Sequence, residues 1–196
     1  MTISGSARAW VVGVMLVAIG QGADAQVCRG RNASGGMRIG AEQLLADGED
    51  AGKAFLIGLA KPRGPVFEMG VAGAAGGGLD ALYGILGFEL RGKTSNFSVC
   101  PYYAALYNDL AETLTHAVGL QAGYAIPFSK TVSFTPAAAY FVNFDGTNDP
   151  VPMYWAGGSL NLDRFSIYAA LENAVDSDAD PKLRLGVSLN VGGARR

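Results

Sequence analysis

Residues 113–144 alternate with a period of two on both sides of a short break at 127–130, and this pattern constrains the fold most strongly. Successive side chains of a strand point to opposite faces, so the alternation predicts the two strands of one long hairpin. In the first arm, one face carries Leu114, His116, Val118, Leu120, Ala122, Tyr124 and Ile126. The other face carries Thr113, Thr115, Ala117, Gly119, Gln121, Gly123 and Ala125.

The second of these faces has an unusual composition for a strand that meets water. Over the two arms of the hairpin it carries mainly Gly, Ala, Ser, Thr and Gln, whereas the water-facing side of a soluble sheet normally carries Lys and Glu. Such residues suit the crowded lumen of a barrel whose apolar face meets lipid. The composition agrees, since charged residues make up 16 % of the chain, against about 25 % in ordinary globular domains.

The N-terminal residues 1–25 have the three parts of a secretory signal peptide. Arg8 precedes an apolar run over 10–20, and Ala23-Asp24-Ala25 has the spacing of a cleavage site. The alternative is a membrane-spanning helix, which needs about 20 apolar residues, whereas the run over 10–20 has 11. We therefore predict cleavage after Ala25. No later run is long and apolar enough for a spanning helix, so a membrane location would require a closed barrel, in which every backbone group is paired.

Further stretches with the same alternation follow along the chain. They predict an all-β fold, a closed antiparallel transmembrane barrel of about ten strands, with eight strands as the alternative. The barrel domain is predicted over 36–192, and residues 26–35 form a periplasmic N-terminal segment. The ten candidate strands cover 37–47, 54–60, 66–74, 81–90, 97–107, 113–126, 131–144, 153–162, 164–172 and 182–191.

The connections between these strands separate by charge. Alternate connections and the two termini hold Arg29, Arg31, Arg38, Lys61, Arg63, Arg91, Lys93, Lys130, Arg164, Arg195 and Arg196, opposed by Asp163. The others hold Asp47, Glu49, Asp50, Asp80, Asp109, Glu112, Asp145, Asp149, Asp176, Asp178 and Asp180, opposed by Lys53 and Lys182. The sequence thus predicts a basic end, which we define by the first set, and an acidic end, defined by the second. Short turns and termini face the periplasm in such barrels, so the acidic end is expected to face outward.

On these residues, the chain resembles the small bacterial outer-membrane β-barrel proteins, which include the porin-like and OmpA-like barrels. The resemblance covers the leader and residues 36–192. It implies export to the bacterial outer membrane, with outer-membrane lipid, periplasmic chaperones and the barrel-assembly machinery as partners. It also implies a role in envelope integrity, adhesion or narrow permeation, and we expect a monomer that binds no nucleic acid.

Charged residues of both signs fall on the lumen face of the predicted strands. Buried charges must pair, so the pattern favours a structural network of ion pairs over a pair of catalytic carboxylates. The predicted network comprises Arg38, Glu42, Glu68, Glu89, Arg91, Arg164, Glu172 and Arg184. Inward aromatic residues are also predicted, at Tyr83, Tyr102, Phe141, Trp155 and Tyr168.

The chain has two cysteines, Cys28 and Cys100. An even count in an exported protein indicates one disulfide, which would hold the N-terminal segment against or inside the basic mouth. The alternative is a lipidated Cys28, which the large Val27 before it disfavours.

The sequence contains no motif that indicates catalysis, a cofactor or a metal. His116 is the only histidine, and no Ser shares its face of the strand. The acidic run at 176–180 begins like a calcium loop, but Pro181 and Val187 replace its turn glycine and closing glutamate. We therefore predict a non-enzymatic barrel with a plugged lumen. The alternatives are a narrow, porin-like solute channel, a lipid-modifying or proteolytic enzyme at the rim, and a soluble lipocalin-type barrel with apolar residues inside.

Overall fold

The computed structural model describes residues 36–60, 64–91, 96–129, 132–162 and 164–191, and their regular structure is entirely β. The predicted signal peptide and the segment 26–35 lie outside these ranges. The strands are β1 (Gly36–Ala46), β2 (Glu49–Ala60), β3 (Pro65–Ala74), β4 (Ala81–Phe88), β5 (Leu90–Arg91), β6 (Phe97–Asn108), β7 (Thr113–Tyr124), β8 (Ile126–Pro127), β9 (Val132–Phe144), β10 (Val151–Leu162), β11 (Phe165–Ala174) and β12 (Lys182–Val191). None of the described residues belongs to a helix able to cross a membrane.

Ten long strands close into one antiparallel barrel. Each pairs with the next along the chain, and β12 returns to pair with β1 over nine residues of each strand. The short strands β5 and β8 continue β4 and β7 after one-residue irregularities at Glu89 and Ala125, and they pair with β6 and β9. The prediction of a closed ten-stranded barrel is confirmed, and the eight-stranded alternative is wrong.

The two faces of the barrel wall have the chemistry that the alternation predicts. In β11, for example, Phe165 and Ile167 are exposed while Ser166 and Tyr168 are buried. Large apolar side chains, such as Leu82, Leu120 and Leu171, cover the outside of every sector. Large apolar side chains point outward, and most polar side chains of the strands point into the lumen. A soluble lipocalin-type barrel has the opposite distribution.

The lumen also contains an apolar cluster, which includes the predicted inward aromatic residues and several aliphatic ones. Leu56, Ile85, Leu106, Met153 and Phe141 pack inside the wall together with several alanines and inward aromatic rings. The physical reason is the small bore. A barrel of this size is filled by its own side chains, and apolar residues fill space without needing hydrogen-bond partners.

Glycines on the inner face receive the aromatic rings of the neighbouring strand. Gly70 lies opposite Tyr83, Gly119 lies between Tyr102 and Phe141, and Gly186 lies opposite Tyr168. A Cβ built at Gly119 would stand 2.6 Å from both the Tyr102 ring and the Phe141 Cβ. The missing side chains therefore make room for rings that lie over the neighbouring strand on the inner face of the wall.

The connections lie at the two ends of the barrel as the charge pattern predicts. At the acidic end, Asp47 and Gly48 form a two-residue hairpin loop with φ values of 55° and 78°, which is the geometry and the sequence of a type I′ turn. Two neighbouring loops at this end are joined where the Asp109 amide donates a hydrogen bond to the Asp80 carbonyl, 2.8 Å away. Most connections of the basic end lie outside the described ranges.

Candidate functional site: the lumen charges and an exterior histidine

The first ion pair crosses one strand of the wall. Arg38 of β1 donates a hydrogen bond from Nη2 to Oε2 of Glu68 in β3 over 3.4 Å, and both side chains are buried. The intervening strand contributes Gly58, which lies opposite both residues in the ladder. Because Gly58 has no side chain, the guanidinium and the carboxylate can meet above it.

The second group joins three strands around Arg184 of β12. Its Nη2 donates to Oε2 of Glu172 in β11, and its Nη1 lies 3.7 Å from Oε2 of Glu42 in β1. All three side chains are at most 3 % exposed. The group spans β1 and β12, so it ties together the two strands that close the barrel.

The charges of the described lumen wall balance. Lys182 lies directly opposite Glu172, and a separate pair joins Arg91 to Glu89 at 3.8 Å near the basic end. The cations are Arg38, Arg91, Arg184 and, at the acidic end of β12, the half-buried Lys182; the four anions are Glu42, Glu68, Glu89 and Glu172. An uncompensated charge here would carry a large desolvation penalty, so equal numbers favour a stable, closed interior.

Arg164 differs from its predicted position. The other seven residues of the predicted network lie in the lumen wall, but Arg164 occupies the turn before β11 and is exposed. The reason is local. β11 begins at Phe165, one residue after Arg164. Because Arg164 lies outside the strand, the alternation of side chains does not determine its direction.

A neutral polar cluster lines another part of the lumen. The Asn161 amide donates to the hydroxyl groups of Thr135 and Ser133 at 3.2 and 3.4 Å, and its carbonyl accepts a hydrogen bond from Ser166 at 2.8 Å. These contacts depend on the register of β9, β10 and β11, which the alternation along the sequence does not give.

The lone histidine lies on the outer face. His116 Nδ1 and the Tyr103 hydroxyl are hydrogen-bonded at 2.6 Å. The imidazole stacks between Tyr103 and Phe144, with ring centroids at 5.9 and 5.4 Å and interplanar angles of 28° and 25°. These contacts fix the orientation of a polar ring on a surface that is otherwise apolar.

Cys100 lies on the lumen face of β6 and is fully buried. Cys28 lies outside the described residues, so the Cys28–Cys100 disulfide stays a prediction. Over the described ranges, no group of three or more His, Cys, Asp or Glu side chains could hold a metal ion.

The closed barrel, with an apolar outer face and a charged, hydrogen-bonded interior, has the architecture found in bacterial outer-membrane β-barrels. The sequence matches no family model and no curated protein. Among solved structures, the chain is similar to the β-domain of the Bordetella autotransporter BrkA, at 12 % identity, covering 81 % of this chain and 100 % of that one, with a TM-score of 0.51. It is also similar to the NanC porin, at 7 % identity, covering 79 % of this chain and 100 % of that one, with a TM-score of 0.50. The resemblance seen in the sequence is thereby confirmed at the level of the fold.

Proposed function

We propose that the protein resides in the bacterial outer membrane as a largely plugged barrel with a structural or interaction role in the cell envelope. The observation that carries this proposal is the burial of the lumen wall. Glu68, Cys100, Gln121 and Phe141 come from four different strands, and each is 0 % exposed. An open water-filled channel would leave such side chains in contact with solvent.

The exterior supports the membrane location. Leu82, Leu86, Leu120 and Tyr140 are each more than half exposed, and so many exposed apolar side chains would be an aggregation hazard in water. In a lipid bilayer, the exposure of these apolar side chains is favourable. The resemblance further implies lipid, periplasmic chaperones and the barrel-assembly machinery as partners. We also propose cleavage of the leader after Ala25, from the pattern of residues 1–25, and an outward-facing acidic end, from the charges of the connections.

Bilayer recording tests the plugged lumen. The refolded mature chain should insert into a planar bilayer and pass little or no steady current, because inward rings such as Tyr102 and Phe141 and the paired charges of the wall should fill a narrow bore. Replacing both rings with alanine should open a path and raise the conductance. A stable, large and weakly selective current through the unaltered chain would refute the plug.

A narrow channel for small solutes is the second candidate. It is favoured by the fold shared with the NanC porin and by charged groups inside the wall. If such a path exists, the acidic end should favour cations at its mouth, and this preference should weaken as salt screens the charges. A selectivity that salt does not change would contradict this assignment of the mouth.

The disulfide would place the N-terminal segment at the lumen. Cys28 precedes the start of β1 by eight residues, and an extended segment of that length reaches about 26–29 Å, enough to cross the mouth of a small barrel. The oxidised mature protein should then contain no reactive thiol after denaturation. With Cys100→Ser as the matched variant, one thiol should appear, and two reactive thiols in the oxidised parent protein would refute the pairing.

A further inference from the structure

We propose that the lumen encloses a binding site for structural water beside the seam between β1 and β12, where bound water joins the two groups of ion pairs into one network. We name it the seam site, and it is lined by Arg38, Glu42, Glu68, Tyr83 and Arg184. The inference rests on the proposed plugged lumen, because water in an open channel would exchange freely with the solvent.

Arg38 supplies hydrogen-bond donors that no described residue accepts. Its Nη2 bonds to Glu68, but Nε and Nη1 have no hydrogen-bond partner in the part of the chain that the structure describes. The side chain is 1 % exposed, so bulk solvent does not reach these groups. A buried charged donor without a partner is strongly unfavourable, and ordered water commonly satisfies such groups in folded proteins.

The Tyr83 hydroxyl reaches the same place from β4. A Cβ built at Gly70 would stand 2.6 Å from both Cζ and the hydroxyl oxygen of Tyr83, so the phenol lies over β3. Gly70 is the next inward residue after Glu68 on that strand. The hydroxyl is buried and has no hydrogen-bond partner among the described residues. It lies close enough to both groups of ion pairs to interact with their charges.

The spacing of the charged groups suits a bridging water. Nη1 of Arg184 lies 3.7 Å from Oε2 of Glu42, which is longer than a direct hydrogen bond and suits a contact made through water. Gly58, which lies opposite Arg38 and Glu68 in the ladders, adds no side chain to this part of the lumen. The seam site therefore offers the polar partners that a buried water needs.

The balance of charge favours water over an ion. The described lumen wall holds equal numbers of cationic and anionic side chains, so a bound ion would leave one charge uncompensated. Water is neutral and both accepts and donates hydrogen bonds. Its oxygen can accept from Arg38, and its hydrogens can be donated to a carboxylate or to the Tyr83 oxygen.

Water-edited solid-state NMR of the mature protein in lipid vesicles tests the site. With ¹⁵N-arginine, the rate at which water magnetisation reaches each Nε–H group reports water beside it, and Arg38→Lys identifies the Arg38 signal. We expect transfer to Arg38 as fast as transfer to the exposed Arg164. Tyr83→Phe, which removes the hydroxyl and keeps the ring, should slow the transfer to Arg38 several-fold. Tyr102→Phe, whose ring lies over Gly119 of β7, should leave it unchanged.

Bilayer recording of the same protein separates failure of the site from failure of the plug. Slow transfer to Arg38 in a barrel that passes no current would exclude the water site and leave the plugged barrel intact. Fast transfer together with a large steady current would mean an open lumen and overturn both. Equal transfer in Tyr83→Phe and the parent would remove the hydroxyl from the site and refute the joined network. If Tyr83→Phe does not fold, as heat-modifiable migration on a gel would show, the transfer and the current of the unaltered protein decide the matter.

Discussion

Removing the guanidinium of Arg184 is the sharpest test of how the lumen charges stabilise the barrel. Arg184 contacts Glu42 and Glu172 on the strands to either side, and all three side chains are buried. In Arg184→Met, a side chain of similar length but no charge replaces it. Glu172 then keeps Lys182 opposite it in the ladder, whereas Glu42 loses its contact with Arg184.

The expected loss of stability follows from this uncompensated charge. Breaking a buried pair by removing one partner costs about 3–5 kcal/mol. With four charges of each sign in the wall, the variant has one carboxylate in excess. The double variant Arg184→Met/Glu42→Met restores the balance and leaves Glu172 opposite Lys182. It should therefore recover most of the loss, so the two substitutions should be strongly non-additive.

Tryptophan fluorescence during urea unfolding in phospholipid vesicles measures the effect. Of the two tryptophans, Trp10 lies in the predicted leader, so Trp155 is the reporter of the mature chain. Trp155 lies directly opposite Glu172 and senses this part of the lumen. Arg164→Met is the matched control, because the same change at an exposed turn should shift stability by no more than about 0.5 kcal/mol.

Two outcomes would refute the reasoning. If Arg184→Met unfolds at the same urea concentration as Arg164→Met, the lumen pairs do not contribute to stability. If the double variant is no more stable than the single variant, the loss arises from packing around Arg184 and not from the charge left on Glu42.

Three other predictions follow from positions elsewhere in the barrel. Gly119→Ala should destabilise by about 1–3 kcal/mol in urea unfolding through overpacking. The exterior Gly84→Ala should be neutral or slightly stabilising, because a Cβ there meets nothing closer than 3.9 Å, and equal effects would contradict the packing model. Leu120→Arg should cost about 2–4 kcal/mol of stability in a bilayer, and normal insertion with solubility in detergent-free buffer would refute the membrane location. Hydrogen bonds from the backbone of Thr147 and Asn148 lower the pKa of Asp145. The small stabilisation that these hydrogen bonds give is present at pH values above the ordinary pKa of Asp, and it is lost as the pH falls through the lowered pKa. The stability of Asp145→Ala in urea unfolding should therefore match that of the parent in strong acid and be lower at neutral pH.

Alternation along the sequence was sufficient to predict the strands and the direction of most side chains. The inward positions of Arg38, Glu68 and Arg184 follow from parity alone, since a strand has a fixed period of two. Parity fails where the strand stops, as Arg164 shows. Side-chain polarity is a second, less reliable guide. Ile85 and Leu106 face the lumen although they are as apolar as lipid-facing residues, because a narrow lumen is filled by apolar as well as polar side chains.

The contacts between side chains of neighbouring strands could not be predicted, because they depend on the register of strand pairing, which the alternation does not determine. The meeting of Arg38 and Glu68 depends on Gly58 lying between them in the ladder. A shift of one residue in either pairing would replace that gap with a side chain. The stacking of His116 between Tyr103 and Phe144 depends on register in the same way, although a lone histidine on an apolar face was visible in the sequence.

The pairing of β1 with β12 has a consequence for biogenesis. These partners are the first and last strands of the barrel sequence, so the seam between them can form only after everything between has been delivered. Until then, two unpaired edges stay open, and such edges readily pair with other chains. Contacts of this sequence separation also form slowly. A chain stalled before residue 182 would therefore remain an open sheet with two unpaired edges, and on the proposed route to the outer membrane it should be cleaved by proteases more readily than the closed barrel.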